Sequence, residues 1–163
     1  MLQAQGDLAG ARPLYERALA IREKLLGPEH FGTAASLDHF AVLPQSQGDL
    51  AAARPLFERA LAIREKVLGP EHPDTNRGRH NFARLLLAEG NAAEALRFSE
   101  AALSAHEKAL GRTHRWTKDS ARAAADALAG LGRAEEASAL RGRYDILQFG
   151  FNQTGNDTQL LGT

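Results

Sequence analysis

The chain has 163 residues, contains no cysteine, and balances 20 basic residues against 20 acidic residues. This composition excludes disulfides and thiolate metal sites, and the absence of a basic excess argues against a dedicated nucleic-acid-binding protein. The sequence has no apolar run of about 18 residues, and its first ten residues lack the pattern of a signal peptide. We therefore expect a cytoplasmic location, with neither nucleic acid nor membrane as a partner.

A segment of 25 residues occurs twice in this sequence. Residues 6–30, GDLAGARPLYERALAIREKLLGPEH, return at residues 48–72 with three substitutions. A more divergent copy occupies residues 90–114, and a fourth begins at Gly132, so successive copies are 42 residues apart. A fixed period of about 20–50 residues is typical of solenoids and other repeat arrays.

The duplicated segment predicts one helix, which we call the second helix of each unit. Its apolar residues recur at steps of three and four, the spacing of one buried helix face. Gly27 and Pro28 then stop the helix, because glycine caps it and proline cannot continue it. Pro13 and its counterpart Pro55 are expected to bend the first turns or to delay the helix start.

The remainder of each unit predicts a first helix that begins at a recurring threonine, since a threonine hydroxyl can cap the first turn. We place these helices at residues 33–46, 75–88 and 117–130, with Thr33, Thr75 and Thr117 as caps. Pro44 is expected to end the earliest of them at Leu43. Each first helix is joined to its second helix by a tight turn at Gly48, Gly90 or Gly132. No segment shows the alternation of a strand, so the sequence predicts an all-α fold of antiparallel helix pairs.

The phrase at residues 55–75, PLFERALAIREKVLGPEHPDT, is similar to the repeats of the kinesin light chain, a tetratricopeptide repeat type. The resemblance implies a right-handed superhelical array that binds peptides or proteins, with no catalytic activity and no cofactor. We expect a partial unit at residues 1–30, units at about 31–72, 73–114 and 115–147, and a flexible tail at 148–163. Because such repeats are common in bacteria and the chain opens in mid-unit, we expect a fragment of a bacterial protein.

Three of the six histidines, His30, His72 and His114, also follow the 42-residue period. Successive units are separated by about 10 Å per helix, whereas Zn–N bonds are about 2 Å, so these histidines cannot share one ion. We expect them to be structural loop residues. The sequence has no nucleophile elbow, P-loop, zinc-protease or dinucleotide motif, and we predict no catalytic and no metal site.

By the resemblance, the first helices line a concave groove. The groove positions that we single out are Asp38, His39, Arg77, His80, Asn81, Arg84, Arg122 and Asp126. Helical spacing places Arg77, His80 and Arg84 on one face. We expect the arginines to clamp an acidic or backbone-rich peptide, partly neutralised by Asp119 and Asp126.

Three alternatives stay open at this point. The polar face of the first helices is also what an ordinary solvated surface looks like. A second copy of the chain is another candidate partner, because Leu8, Tyr15 and Leu19 of the first predicted helix have no preceding helix to cover them. The chain is also compatible with a regulatory segment of a larger signalling ATPase or protease-like protein.

Overall fold

The computed structural model describes the backbone of residues 8–146 and the side chains of residues 13–146. Within this part the chain is helical and has no strand. The helices are α1 (Leu8–Leu26), α2 (Phe31–Ser46), α3 (Leu50–Leu68), α4 (Pro73–Ala88), α5 (Ala92–Leu110), α6 (Arg115–Gly130) and α7 (Ala134–Arg143). The predicted tail at residues 148–163 lies outside the described residues.

The helices pack as an array in chain order. Each helix contacts the next one along the chain, and the first helices α2, α4 and α6 also contact one another in turn. The predicted all-α repeat array is therefore confirmed. Its core is built where α4 meets its neighbours, since Phe82, Leu85 and Leu86 of α4 are buried together with Phe57 of α3 and Leu128 of α6.

The first helices begin two residues earlier than predicted, and their caps are histidines. His30, His72 and His114 precede α2, α4 and α6, and the Nδ1 atom of each accepts the backbone N–H two residues later at 3.0–3.2 Å. The prediction of a structural role for these histidines is confirmed, and the prediction that threonines cap the helices is wrong. An imidazole nitrogen satisfies the same unpaired helix amides as a hydroxyl oxygen.

Two of the three recurring threonines hold the preceding loop against the helix instead. The hydroxyl groups of Thr33 and Thr117 donate to the carbonyl oxygens of Gly27 and Gly111, both at 2.8 Å. These two glycines have φ values of 99° and 85°, which are accessible to glycine at little cost. In the middle unit the hydroxyl of Thr75 donates instead to the carbonyl of Arg64 in α3 at 3.3 Å, so each threonine joins its first helix to the chain that precedes it.

The prolines disturb the helices less than predicted. Helix α2 continues through Pro44 to Ser46, so the prediction that it ends at Leu43 is wrong. Carbonyl groups near the end of α2 accept hydrogen bonds from the turn that follows. The backbone N–H of Asp49 donates to the carbonyl of Pro44 at 2.9 Å. Helix α3 starts at Leu50 with an Asp49 cap, five residues before Pro55, so its start is not delayed.

The apolar face that α1 leaves uncovered is not the predicted one. The ring of Tyr15 lies 6.4 Å from that of Phe40 on α2, and Leu19 packs against the cluster around Leu37. The side chain of Leu8 lies outside the described residues. The exposed large apolar side chains of α1 are those of Leu14, Ile21, Leu25 and Leu26 (56, 47, 73 and 47% exposed). Leu14, Ile21 and Leu25 follow the seven- and four-residue spacing of one helix face.

Candidate functional site

A polar cleft lies between the first helices α4 and α6. Its larger part, of about 520 Å³, is lined by His80, Arg84, Leu87, Arg115, Asp119, Arg122, Ala123 and Asp126. A smaller part, of about 190 Å³, adds Arg77, Asn81, His106 and Trp116 and shares His80, Arg84, Arg115 and Asp119 with the larger one. We call this continuous depression the α4/α6 cleft. Four arginines and two aspartates line it, so its wall carries a net positive charge.

Both aspartates of the cleft are already paired with arginines. Asp119 accepts from Arg122 at 2.9 Å and lies 3.7 Å from Arg115, and Asp126 is paired with Arg141 of α7 at 2.7 Å. Among the described residues neither Arg77 nor Arg84 forms an ion pair. The arginine side chains that remain available to a ligand are therefore those of α4.

Arg77 lies over an indole ring. Its guanidinium carbon is 4.9 Å from the ring centre of Trp116, within the distance of a cation–π contact. The Trp116 ring in turn contacts the rings of His114 and His106, with ring centres 5.6 and 5.9 Å away, and its backbone N–H donates to the His114 cap. The repeat cap thus positions one wall of the cleft.

Two imidazoles form the floor of the cleft. Burial, and then the charge of Arg84, lowers the pKa of His80 to about 4, so this ring is neutral at physiological pH. Burial also lowers the pKa of His106. The Nε2 atom of His106 lies 2.9 Å from the carbonyl of Pro73, which can only accept, so Nε2 carries the proton and Nδ1 accepts from Ser120 at 3.0 Å.

A buried ion pair lies beside the cleft. Asp38 of α2 and Arg64 of α3 are 7 and 5% exposed and are 2.7 Å apart, and Asn81 donates to the same Asp38 oxygen at 3.3 Å. Gly78 makes room for this pair, because a Cβ atom there would lie 3.3 Å from Nη1 of Arg64. Glycine weakens a helix interior, but at Gly78 its missing side chain leaves space for the buried guanidinium of Arg64.

The sequence profile of the tetratricopeptide repeat family matches residues 1–66, 41–88 and 74–140, which together span most of the chain. The chain belongs to the tetratricopeptide repeat family. Its repeats are of the kinesin light chain type, as the resemblance predicted. A comparison with curated proteins gave no match.

Solved structures share the architecture of this tetratricopeptide repeat array. Two crystal structures of a Podosopora anserina protein of the kinesin light chain type, with nearly identical TPR-like repeats, are 30% identical to it. One, a single-substitution variant, has a TM-score of 0.75 over 88% of this chain and 68% of that one. The other has a TM-score of 0.73 over 94 and 72%. BtubC (BKLC) from P. vanneervenii, 15% identical, shares the fold, with a TM-score of 0.78 over 99 and 65%.

The family and the fold are typical of non-catalytic interaction scaffolds. Within residues 8–146 no group of three or more histidine, aspartate or glutamate side chains is arranged to hold a metal ion. No helix of that same part is both long enough and apolar enough to span a bilayer.

The tetratricopeptide array brings six of the eight singled-out residues to one place. Arg77, His80, Asn81, Arg84, Arg122 and Asp126 all line the α4/α6 cleft. Asp38 does not, because its carboxylate is buried against Arg64 and is unavailable to a ligand. His39 is exposed on α2, outside the cleft.

Sequence reasoning missed Arg115 and Trp116, which also line the cleft. Both precede the threonine that was taken as the helix start, so they were assigned to a loop. The signal that identifies them is the register of the repeat, since Trp116 occupies the position of Gly32 and Asp74 in the earlier units. A bulky aromatic residue at a position otherwise small or polar marks a unit-specific contact.

Proposed function

We propose that this tetratricopeptide repeat array is a non-catalytic scaffold that binds an acidic peptide or an acidic segment of a partner protein in the α4/α6 cleft. The observation that carries the proposal is the imbalance of partners in the cleft. Every carboxylate of the lining is already bound by an arginine, whereas Arg77 and Arg84 lack an ion pair among the described residues. The cleft therefore offers unpaired guanidinium groups that an anionic ligand can bind.

Arginine suits a carboxylate ligand because its planar group donates two parallel hydrogen bonds to the two oxygens. Stacking of Arg77 on Trp116 orients one such group before the ligand arrives, which reduces the entropy lost on binding. The flat indole face also offers contact area to an apolar side chain next to the acidic residue. The favoured ligand is therefore a peptide in which a carboxylate adjoins an apolar or aromatic residue.

A hollow of about 500 Å³ between α5 and α7 is less suited to such a ligand. It is lined by glutamates, including Glu107, which already accepts from the hydroxyl of Tyr144 at 2.6 Å and is paired with Arg112 and Arg143. Its charges are internally matched or acidic, so it offers no free cation to a carboxylate.

Self-association through α1 is the second partner that the sequence suggests. The exposed Leu14, Ile21 and Leu25 favour an apolar contact there. However, Arg17 and Lys24 are seven residues apart and flank this stripe on one side. If two copies paired these stripes in antiparallel orientation about a two-fold axis, each edge of the stripe would lie beside the same edge of the other copy. Arg17 of one chain would then lie near Lys24 of the other. This repulsion favours a partner other than a second copy.

The proposal is tested by peptide-display selection with the full chain as bait. We expect the selected peptides to be enriched in aspartate and glutamate next to an apolar residue. Their affinity should fall on Arg84→Glu much more than on Arg97→Glu, which makes the same charge change on α5, away from the cleft. Peptides without acidic enrichment, or equal losses for the two variants, would contradict the proposal.

A further inference from the structure

The exposed stripe of α1 has counterparts that are covered elsewhere in the array. The stripe consists of Leu14, Ala18, Ile21 and Leu25, all exposed. Its counterparts on α3 are Leu56, Ala60, Ile63 and Val67, of which Ala60 and Ile63 are buried and Leu56 is partly buried. Val67 stays 50% exposed, so the first three positions of this surface are open on α1 and covered on α3.

The structure shows what occupies this surface on α3. Ala34 and Leu37 of α2, together with Leu19 of α1, form one cluster with Ala60 and Ile63. The occupant is thus a first helix that presents a small and a branched aliphatic side chain three residues apart, assisted by Leu19 from the middle of the preceding second helix.

Ion pairs fix the same contact at its edge. Arg59 of α3 lies 2.7 Å from Glu23 of α1, and Lys66 of α3 is paired with Glu29 in the loop before α2. One unit later Lys108 of α5 lies 4.0 Å from Glu71, which is the counterpart of Glu29. A lysine of α3 and a lysine of α5 are thus each paired with the glutamate just before a first helix, and Arg59 of α3 is paired with a glutamate on the preceding second helix.

Helix α1 carries the surface and the cations of α3 almost unchanged. The two copies differ at three of 25 positions, and in the stripe only at Leu25 and Val67. Arg17 and Lys24 are the counterparts of Arg59 and Lys66, and neither has an ion pair among the described residues. Within the described part of the chain, helix α1 therefore has both the apolar stripe and its charged edge, but it lacks the first helix and the paired glutamates that cover them on α3.

From this we infer that α1 is a docking surface for a helix of the α2 kind. The partner is an amphipathic helix with small and branched aliphatic residues on one face, preceded by carboxylates that reach Arg17 and Lys24. Such a segment extends the array by adding a helix where α2 lies on α3. The occupant is distinct from the acidic peptide of the α4/α6 cleft, and the two surfaces act independently.

The chain itself supplies the probe for a test. A labelled peptide of residues 19–46 contains Leu19, Glu23, Glu29, Ala34 and Leu37, the elements that contact α3. We expect the full chain to bind it saturably in a fluorescence-anisotropy titration, and not to bind a scrambled version. Ile21→Gln and Lys24→Glu should each weaken binding about tenfold, because they remove a buried contact and a charge pair.

Matched controls separate this surface from the others. Leu131→Gln removes another exposed apolar side chain, and Arg97→Glu another exposed cation; both should leave peptide affinity unchanged. Absence of binding by the wild-type chain, or equal losses for test and control variants, would overturn the inference. An equal loss on Arg84→Glu would overturn it too, since the peptide would then occupy the cleft. A concentration-dependent dimer that Ile21→Gln dissociates would assign α1 to a second copy instead.

Discussion

His80 lies where the binding surface meets the interior. Its Nδ1 atom is buried and has no hydrogen-bond partner among the described residues, and the charge of Arg84 adds to the effect of burial in lowering its pKa to about 4. The ring is consequently neutral in the folded state at pH values at which an exposed histidine is half charged. The cationic wall above it therefore does not gain charge from His80 as the pH falls from 7 to 5.

This lowered pKa predicts a loss of stability in acid. Since the pKa is about 6.5 in the unfolded chain and about 4 in the folded one, the unfolded state binds the proton first. The stability from neutral His80 is complete above pH 6.5 and is lost as the pH falls towards 4, by up to about 3 kcal/mol. Denaturant unfolding across this range should show a flatter pH profile for His80→Gln than for the wild type.

Two other groups contribute to the pH dependence of stability, so the test depends on comparing variants with one another. The lowered pKa of His106 acts in the same direction, whereas burial raises the pKa of Asp38, which acts in the opposite direction. His39→Gln, at an exposed position, should keep the wild-type slope. If His80→Gln and His39→Gln had equal slopes, the neutral buried state of His80 would be refuted.

Single residues were also where sequence reasoning was least able to assign roles. A histidine and a threonine three residues apart both carry short-range hydrogen-bonding groups, and spacing alone does not show which of them caps α4. Similarly, Gly78 reads as a weak point of a helix until Arg64 is known to lie against it. These assignments depend on atoms contributed by another helix.

At the level of the helix, Pro44 is the clearest irregularity. Its counterparts one and two units later are Leu86 and Leu128, both buried in the core. An apolar hollow of about 220 Å³ lies beside Pro44, lined by Phe40, Leu43, Gln47, Ala52 and Leu56. Proline also lacks the N–H that would bond to the carbonyl four residues before it.

Replacing Pro44 by leucine should therefore stabilise the array. The variant restores a backbone donor and fills the hollow, and we expect a gain of about 1–3 kcal/mol in the free energy of unfolding. Thermal and denaturant melts measure it. Pro55→Leu, at an exposed position of α3, restores only the donor and should gain less. An unchanged or lower midpoint for Pro44→Leu would show that the backbone has adapted to the proline.

The starts of the first helices followed from the sequence to within two residues, because glycine turns and apolar periodicity act locally, whereas the end of α2 predicted at Leu43 was three residues short. Which face of α1 is open did not follow. Tyr15 and Leu19 read as uncovered when only the chain order is considered, but α2 packs on them and leaves Leu14, Ile21 and Leu25 free. The periodicity identifies which residues form the apolar face of a helix. Which of these residues contact each neighbouring helix depends on the angle at which the helices cross.

For the whole molecule, the 42-residue period determined the architecture, since near-identical segments must form near-identical elements that stack. It also grouped most of the cleft residues correctly, because equivalent positions on stacked first helices share one side. It did not predict how charges pair. The bonds of Asp126 to Arg141 and of Asp38 to Arg64 join different helices, and they decide which arginines stay free.

The central claim is that the α4/α6 cleft binds an acidic peptide, and Trp116 gives a direct test. It is the single tryptophan of the chain and lies under Arg77 in the cleft wall, so its fluorescence reports on that site alone. Titration with a selected acidic peptide should change the Trp116 emission saturably. The affinity should fall as salt rises from about 0.05 to 0.5 M, because salt screens exposed charges. Binding that is seen by anisotropy of a labelled peptide but leaves the Trp116 emission unchanged, or that is indifferent to salt, would contradict the account.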